Sequence, residues 1–139
     1  MSTSAYDDTS GTAFRGARPL MERLMVFSVA DEVAALREEP QYRDGDRTSR
    51  MLAKDVDLRV MLTVLRTGAA LDEQDGDSRV TVQLVEGQVA VELGGESAEL
   101  GPGDVAVIDA GNPWLVRAIA DSALVLTIVW PREKVDTGS

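Results

Sequence analysis

From residue 57 to residue 130 the chain is a succession of short apolar segments that alternate with period two, cut by glycine-rich turns. The turns recur about every 8–12 residues, the spacing of an antiparallel sandwich or barrel. Residues 79–85 set Val80, Val82 and Leu84 against Thr81, Gln83 and Val85, and residues 88–93 set Val89, Val91 and Leu93 against Gln88, Ala90 and Glu92. Such alternation gives a strand one buried face and one outer face. The aliphatic, β-branched segment 57–66 precedes them, and further strands are expected at 96–100, 104–109, 114–119 and 122–130, the last stopped by Pro131. Glu86-Gly87, Gly94-Gly95, Gly101-Pro102-Gly103 and Ala110-Gly111-Asn112-Pro113 supply the breaks, with Glu86-Gly87 read as a tight connection between neighbouring strands.

The start of the chain follows other rules. Residues 1–18 are rich in Ser, Thr, Gly and Asp without hydrophobic period, so a flexible N-terminal arm is expected there. Between Ser28 and Glu39, Val29, Val33 and Leu36 recur at helical spacing, Ser28 with Asp31 forms a capping start, and Pro40 follows. This predicts a short amphipathic helix at about 28–39, whose stripe packs on the chain's own core. After the turn Arg43-Asp44-Gly45-Asp46 the chain is strand-like nearly throughout. The expected organisation is therefore an arm (1–18), one barrel domain with its helix (19–131) and a C-terminal tail (132–139). A chain of 139 residues suits one domain.

Two absences narrow the chemistry. With no cysteine and no histidine there is no thiolate or imidazole ligand, no disulfide, no Ser-His-Asp triad and no histidine switch. Lys+Arg 14 against Asp+Glu 24 gives a net charge of -10, which repels phosphate backbones and anionic headgroups. Nucleic acid and membrane are not expected as partners. No apolar run approaches the roughly 20 residues that cross a bilayer, the N-terminus lacks a basic start followed by an apolar stretch, and a cytoplasmic protein is expected.

The glycine spacing resembles that of the cupin family, small jelly-roll barrels carrying two motifs. The first family motif runs glycine, five residues, His, one residue, His, three or four residues, Glu, six residues, glycine; here the positions are Gly68, Gln74, Gly76, Val80 and Gly87. The second runs glycine, five residues, proline, one residue, glycine, two residues, His, three residues, Asn; here Gly103, Asp109, Gly111, Trp114 and Ala118 stand in register. The resemblance covers about residues 57–130 and implies an all-β double-stranded β-helix, the jelly-roll or cupin barrel, with a short N-terminal helix. In family members that carry the ligands, the histidines and glutamate hold a divalent transition metal inside the barrel. Carried over by position, Gln74, Gly76, Val80 and Trp114 replace all of them, and Gly, Val and Trp side chains offer no donor for such a metal. The resemblance thus implies a metal-free, cofactor-free site with no metal-dependent dioxygenase, isomerase or decarboxylase activity.

A second register uses the four-residue variant and sets Glu73 and Asp75 where the histidines belong, with Thr67 in place of Gly68. Those carboxylates would suit a hard cation or a general base. The acidic stretch 72–77 fails the EF-hand pattern, because Leu71 occupies the first ligand position. If the family's inward orientation holds, the ligand-binding candidates are Gln74, Val80, Val82 and Trp114. Trp114 either plugs the barrel or forms a stacking wall, and Gln74 offers donors and acceptors to its indole or to a ligand. Arg79 and Arg117 should face away from the cavity, and Trp130 should pack at the barrel edge. Tyr6 and Tyr42 lie outside the barrel strands, which leaves acid–base catalysis without a placed residue.

Three functions stay open: a metal-free binder of a small apolar molecule, a structural or interaction module with a filled barrel, and a cofactor-independent cyclase or isomerase that works by confinement. A homodimer is expected, with the alternate apolar face at Met61, Val85 and Val125 and the open sheet edges as the surface to bury.

Overall fold

The structure is a computed structural model that describes residues 23–73 and 77–131. The expected arm and tail, and Gln74, Asp75 and Gly76, lie outside those residues. Ser28 starts the first element: the Asp31 backbone N–H donates to its hydroxyl (3.4 Å), satisfying a donor that the first helical turn leaves free. Helix α1 (Val29–Arg37) carries Asp31 and Glu32 in its first turn and Arg37 in its last, in the sense the helix dipole favours. Pro40 does more than follow the helix. It opens a second short helix, α2 (Pro40–Arg43), where its missing N–H costs nothing.

The strands are β1 (Arg47–Asp55), β2 (Leu58–Leu65), β3 (Ala70–Glu73), β4 (Arg79–Glu86), β5 (Val89–Leu93), β6 (Glu96–Leu100), β7 (Val105–Ile108), β8 (Trp114–Ala118) and β9 (Ser122–Val129). They form two antiparallel sheets, a five-stranded one in the order β1-β2-β9-β4-β7 and a four-stranded one in the order β3-β8-β5-β6. The expected all-β double sheet is the observed one, with the helix at its N-terminal side. The strands that sequence reading did not delimit are β1, where charged residues and a bulge between Met51 and Ala53 break the alternation, and the four-residue β3.

One expected connection is corrected. β4 and β5 are not hairpin partners: β4 pairs with β7 and β9, and β5 with β6 and β8. The chain changes sheets at Gly87, which has φ +96° and lies so close to the Asp121–Ser122 backbone that no side chain fits. Gln88 is stitched to the next crossing, its carbonyl accepting from Ile119 and Ala120 N–H (2.8 and 3.2 Å). A third crossing runs through Gly68 (φ +90°), beside which Thr67 donates through its N–H and hydroxyl to Asp121 (2.8 and 2.9 Å). The position that needs glycine is therefore 68 and not 67, which supports the register in which the first motif begins at Gly68.

The five-stranded sheet has apolar residues on both faces. Its inner face joins Val80, Val82, Leu84, Leu124, Leu126 and Leu65 to Val89, Val91, Trp114 and Val116 of the other sheet, forming the barrel core. Its outer face puts Leu52, Leu62, Val64 and Ala123 against Val33, Leu36 and Tyr42 of the helices. Val85 and Val125 pack against this second cluster and Met61 against the barrel core, so none of the three belongs to a free alternate face. Arg50 fixes the helical layer to β1, donating to Glu32 (2.6 Å) and Glu39 (3.0 Å). Among the described residues no helix is long and apolar enough to cross a membrane.

Candidate functional site

The two ends of the barrel differ because different connections close them. At one end lie the tight crossings β2 to β3, β4 to β5 and β8 to β9, and the turn from β6 to β7 in which Gly103 N–H donates to the Leu84 carbonyl (2.9 Å). Inner side chains at that end, Leu65, Ala69, Leu84, Val89, Ala118 and Leu124, are buried. Towards the other end exposure rises on three strands, while Val80 on β4 (1%), Ile108 on β7 (4%) and Trp114 on β8 (6%) stay buried. On β9 it passes from buried Leu124 and Leu126 to half-buried Ile128, on β2 from buried Thr63 to half-buried Met61, and on β5 from Val89 to Leu93. We call this less covered end the mouth. It is bounded by apolar side chains, a consequence of the period-two pattern running to the strand ends.

Of the sequence candidates, Val80, Val82 and Trp114 all enter the barrel core. Val82 is 0% exposed and belongs to the packed layer, Val80 is 1% exposed in the layer above it, and Trp114 is 6% exposed at the first residue of β8. Backbone pairing sets Glu73 opposite Trp114 at the end of β3, while Gln74 and Asp75 are outside the described residues. Among the described residues no three His, Cys, Asp or Glu side chains group as a metal site. Tyr42 supplies no acid to the barrel, because it packs in the helical layer on the outer face of the five-stranded sheet. Tyr42 is buried on α2 beneath Arg66, whose guanidinium lies 4.5 Å from the ring centroid, and Tyr6 is outside the described residues.

The loop before Trp114 is pinned. Arg79 donates to Asp109 (3.0 Å), Ala110 N–H donates to the same carboxylate (2.9 Å), and the Asn112 amide donates to the Asp109 carbonyl (3.2 Å). These bonds hold the Asp109 carboxyl below its usual range, the Ala110 N–H first and Arg79 second. Arg79 and Arg117 face outward as alternation requires, Arg117 lying 3.8 Å from Glu92.

Sequence reasoning missed the rim opposite Trp114. Arg59 pairs with Ile128 across β2 and β9, and Ile128 packs on the barrel core, so Arg59 is on the inner face at the mouth. Its guanidinium lies over Trp130, 4.8 Å from the ring centroid. Arginine two residues before Met61 in an inward-alternating strand was the available signal.

This architecture is shared with known structures. It is similar to KdgF from a Halomonas species, with 24% identity, a TM-score of 0.57 and coverage of 65% of this chain and 85% of that one. It is also similar to an RmlC-like cupin from Shewanella frigidimarina (22% identity, TM-score 0.56, 66% and 82% covered). A conserved protein of unknown function from Streptococcus pyogenes matches at 19% identity and TM-score 0.61, over 80% of this chain and 91% of that one. No family model matches the chain, and no curated relative matches it. The protein has the cupin fold. At these identities the likeness concerns the fold alone and leaves the chemistry to this chain's own residues.

Proposed function

We propose that the protein binds a small, largely apolar molecule in the mouth of the barrel, without a metal. The observation that carries this reading is the gradient of burial along β2, β5 and β9, from closed packing at Leu65, Val89 and Leu124 to half-buried Met61, Leu93 and Ile128. Val80 and Trp114 stand where the resemblance sets metal ligands, so the mouth offers dispersion and stacking rather than coordination. Gln74, next in the chain to β3, is the candidate for orienting the ligand by hydrogen bonds.

A filled barrel with a purely structural role is the second reading, favoured by the 0% exposure of Val82 and its neighbours. Titration with the neutral dye N-phenyl-1-naphthylamine separates the two. Saturable binding near one dye per chain, weakened at least about tenfold by Ile128→Trp, supports the apolar mouth; a tenfold change is about 1.4 kcal/mol. No saturable binding supports the filled barrel.

The homodimer is part of this proposal, with one basis on the structure: Val105 and Val107 are 51% and 74% exposed on the edge strand β7. Sedimentation velocity with Val107→Lys tests it, expecting the variant to run as a smaller species. The cytoplasmic setting stays part of this proposal, and the lack of nucleic-acid and membrane partners is supported by the acidic charge.

A further inference from the structure

The antiparallel ladder between β1 and β2 sets Lys54 directly opposite Arg59. Two cations in a cross-strand pair repel each other and destabilise a sheet. In a chain of net charge -10 the arrangement is the reverse of what composition would produce. Among the described residues neither side chain forms an ion pair, although Arg37, Arg43, Arg47, Arg50, Arg79 and Arg117 all do. Asp55, an acid of the hairpin turn, accepts from the Val56 N–H (2.8 Å).

Arg59 carries a second mark. Its Nε is buried without a hydrogen-bond partner, the one such side-chain atom among the described residues. A buried donor left unmatched costs about 1–3 kcal/mol, and no described residue supplies the acceptor this Nε needs. The Trp130 ring meanwhile lies beneath the guanidinium carbon at 4.8 Å, which reduces the rotamer freedom lost when an anion arrives. Lys54 and Arg59 share the face of Ile128 and Met61, so the two charges border the apolar mouth.

We infer that Lys54 and Arg59, with Trp130 as the backing ring, form an anion seat at the rim of the barrel, and that the natural ligand is a small amphipathic carboxylate. Its acid group meets the two cations and its apolar body lies against Met61, Ile128 and Trp114. A planar carboxylate suits the arginine fork through two parallel N–H···O bonds, with the Lys54 ammonium as a second, non-directional charge beside it. This inference rests on the apolar-mouth reading and adds the charge and class of the ligand.

The test is calorimetric titration of the full chain with octanoate and with 1-octanol at pH 7.5 and low salt. Octanoate is expected to bind at least about tenfold more tightly than octanol, with the preference shrinking as salt screens the seat. Arg59→Gln and, separately, Lys54→Gln should bring octanoate down towards octanol and leave octanol unchanged. Lys54 is on an edge strand, so its variant keeps the test valid if the Arg59 variant unfolds. Octanol binding with no preference for octanoate, or a preference that both variants retain, overturns the anion seat and leaves the apolar mouth standing. Failure of both to bind overturns the apolar mouth and the seat together.

Discussion

A Cβ on Gly87 would stand 2.3 Å from the Ser122 hydroxyl and 2.7 Å from its Cα, at a residue whose φ is +96°. The two residues sit at neighbouring sheet crossings, Gly87 between β4 and β5 and Ser122 at the start of β9. Ser122 is fully buried and its hydroxyl donates to the Ala120 carbonyl (2.7 Å), so it has no room to retreat.

Gly87→Ala should therefore cost about 2–4 kcal/mol, from backbone strain and overpacking together. Gly68→Ala meets the same sign of φ with nothing within 4 Å and should cost about 1 kcal/mol. Urea unfolding of both variants checks the ordering. Equal losses would mean that the closed end relaxes freely.

Asp121 accepts from the Thr67 N–H and hydroxyl, and these bonds hold its carboxyl below the ordinary value of 3.8, the backbone bond first. A lowered folded-state value means that its contribution is complete above that ordinary value and is lost as pH falls through the lowered one. Asp121→Asn should be less stable than the parent chain at neutral pH, and the two should converge in strong acid. Thermal melts between about pH 2 and pH 7 test the convergence.

Leu36 on α1 is 0% exposed against the outer face of β2 and β9. Its truncation to alanine removes apolar contacts across the helix–sheet boundary and should cost about 2–5 kcal/mol. Circular dichroism and tryptophan fluorescence should still melt together, because the helix and the barrel share β2. A separate early transition would show that the helix is an independent unit.

Metal should not stabilise the fold. A resident ion at 100 times its Kd would add about 2.7 kcal/mol, visible as a clear rise in Tm. Valine and tryptophan at the ligand positions predict no rise with excess manganese, nickel or zinc and no fall after chelation. A rise would point to carboxylates of the 72–77 stretch as ligands.

Much of the architecture was legible because strand pattern and turn chemistry are local. Alternation at 79–85 and 88–93 assigns the inward residues, and the glycine spacing falls where the chain crosses between sheets at Gly68 and Gly87. Of the candidate site the inward direction was legible: Val80, Val82 and Trp114 enter the barrel core, and their role in binding belongs to the proposal. The strand β1 resisted reading, since the Met51–Ala53 bulge turns Leu52 and Ala53 to one face and destroys the period.

Sequence alone determined which residues alternate, where the backbone must break, how the helix starts, and that no imidazole or thiolate chemistry is available. Those are properties of single residues and near neighbours. The tertiary structure decided which sheet each strand joins, sending β4 and β5 apart where proximity suggested a hairpin. It also gave the outer face of β2 and β9 to the helices, left one barrel end less covered, and brought Lys54, Arg59 and Trp130 to one rim. These are relations between segments distant in the chain, and they exist only once strand pairing has fixed a common face and depth for residues that no local rule connects.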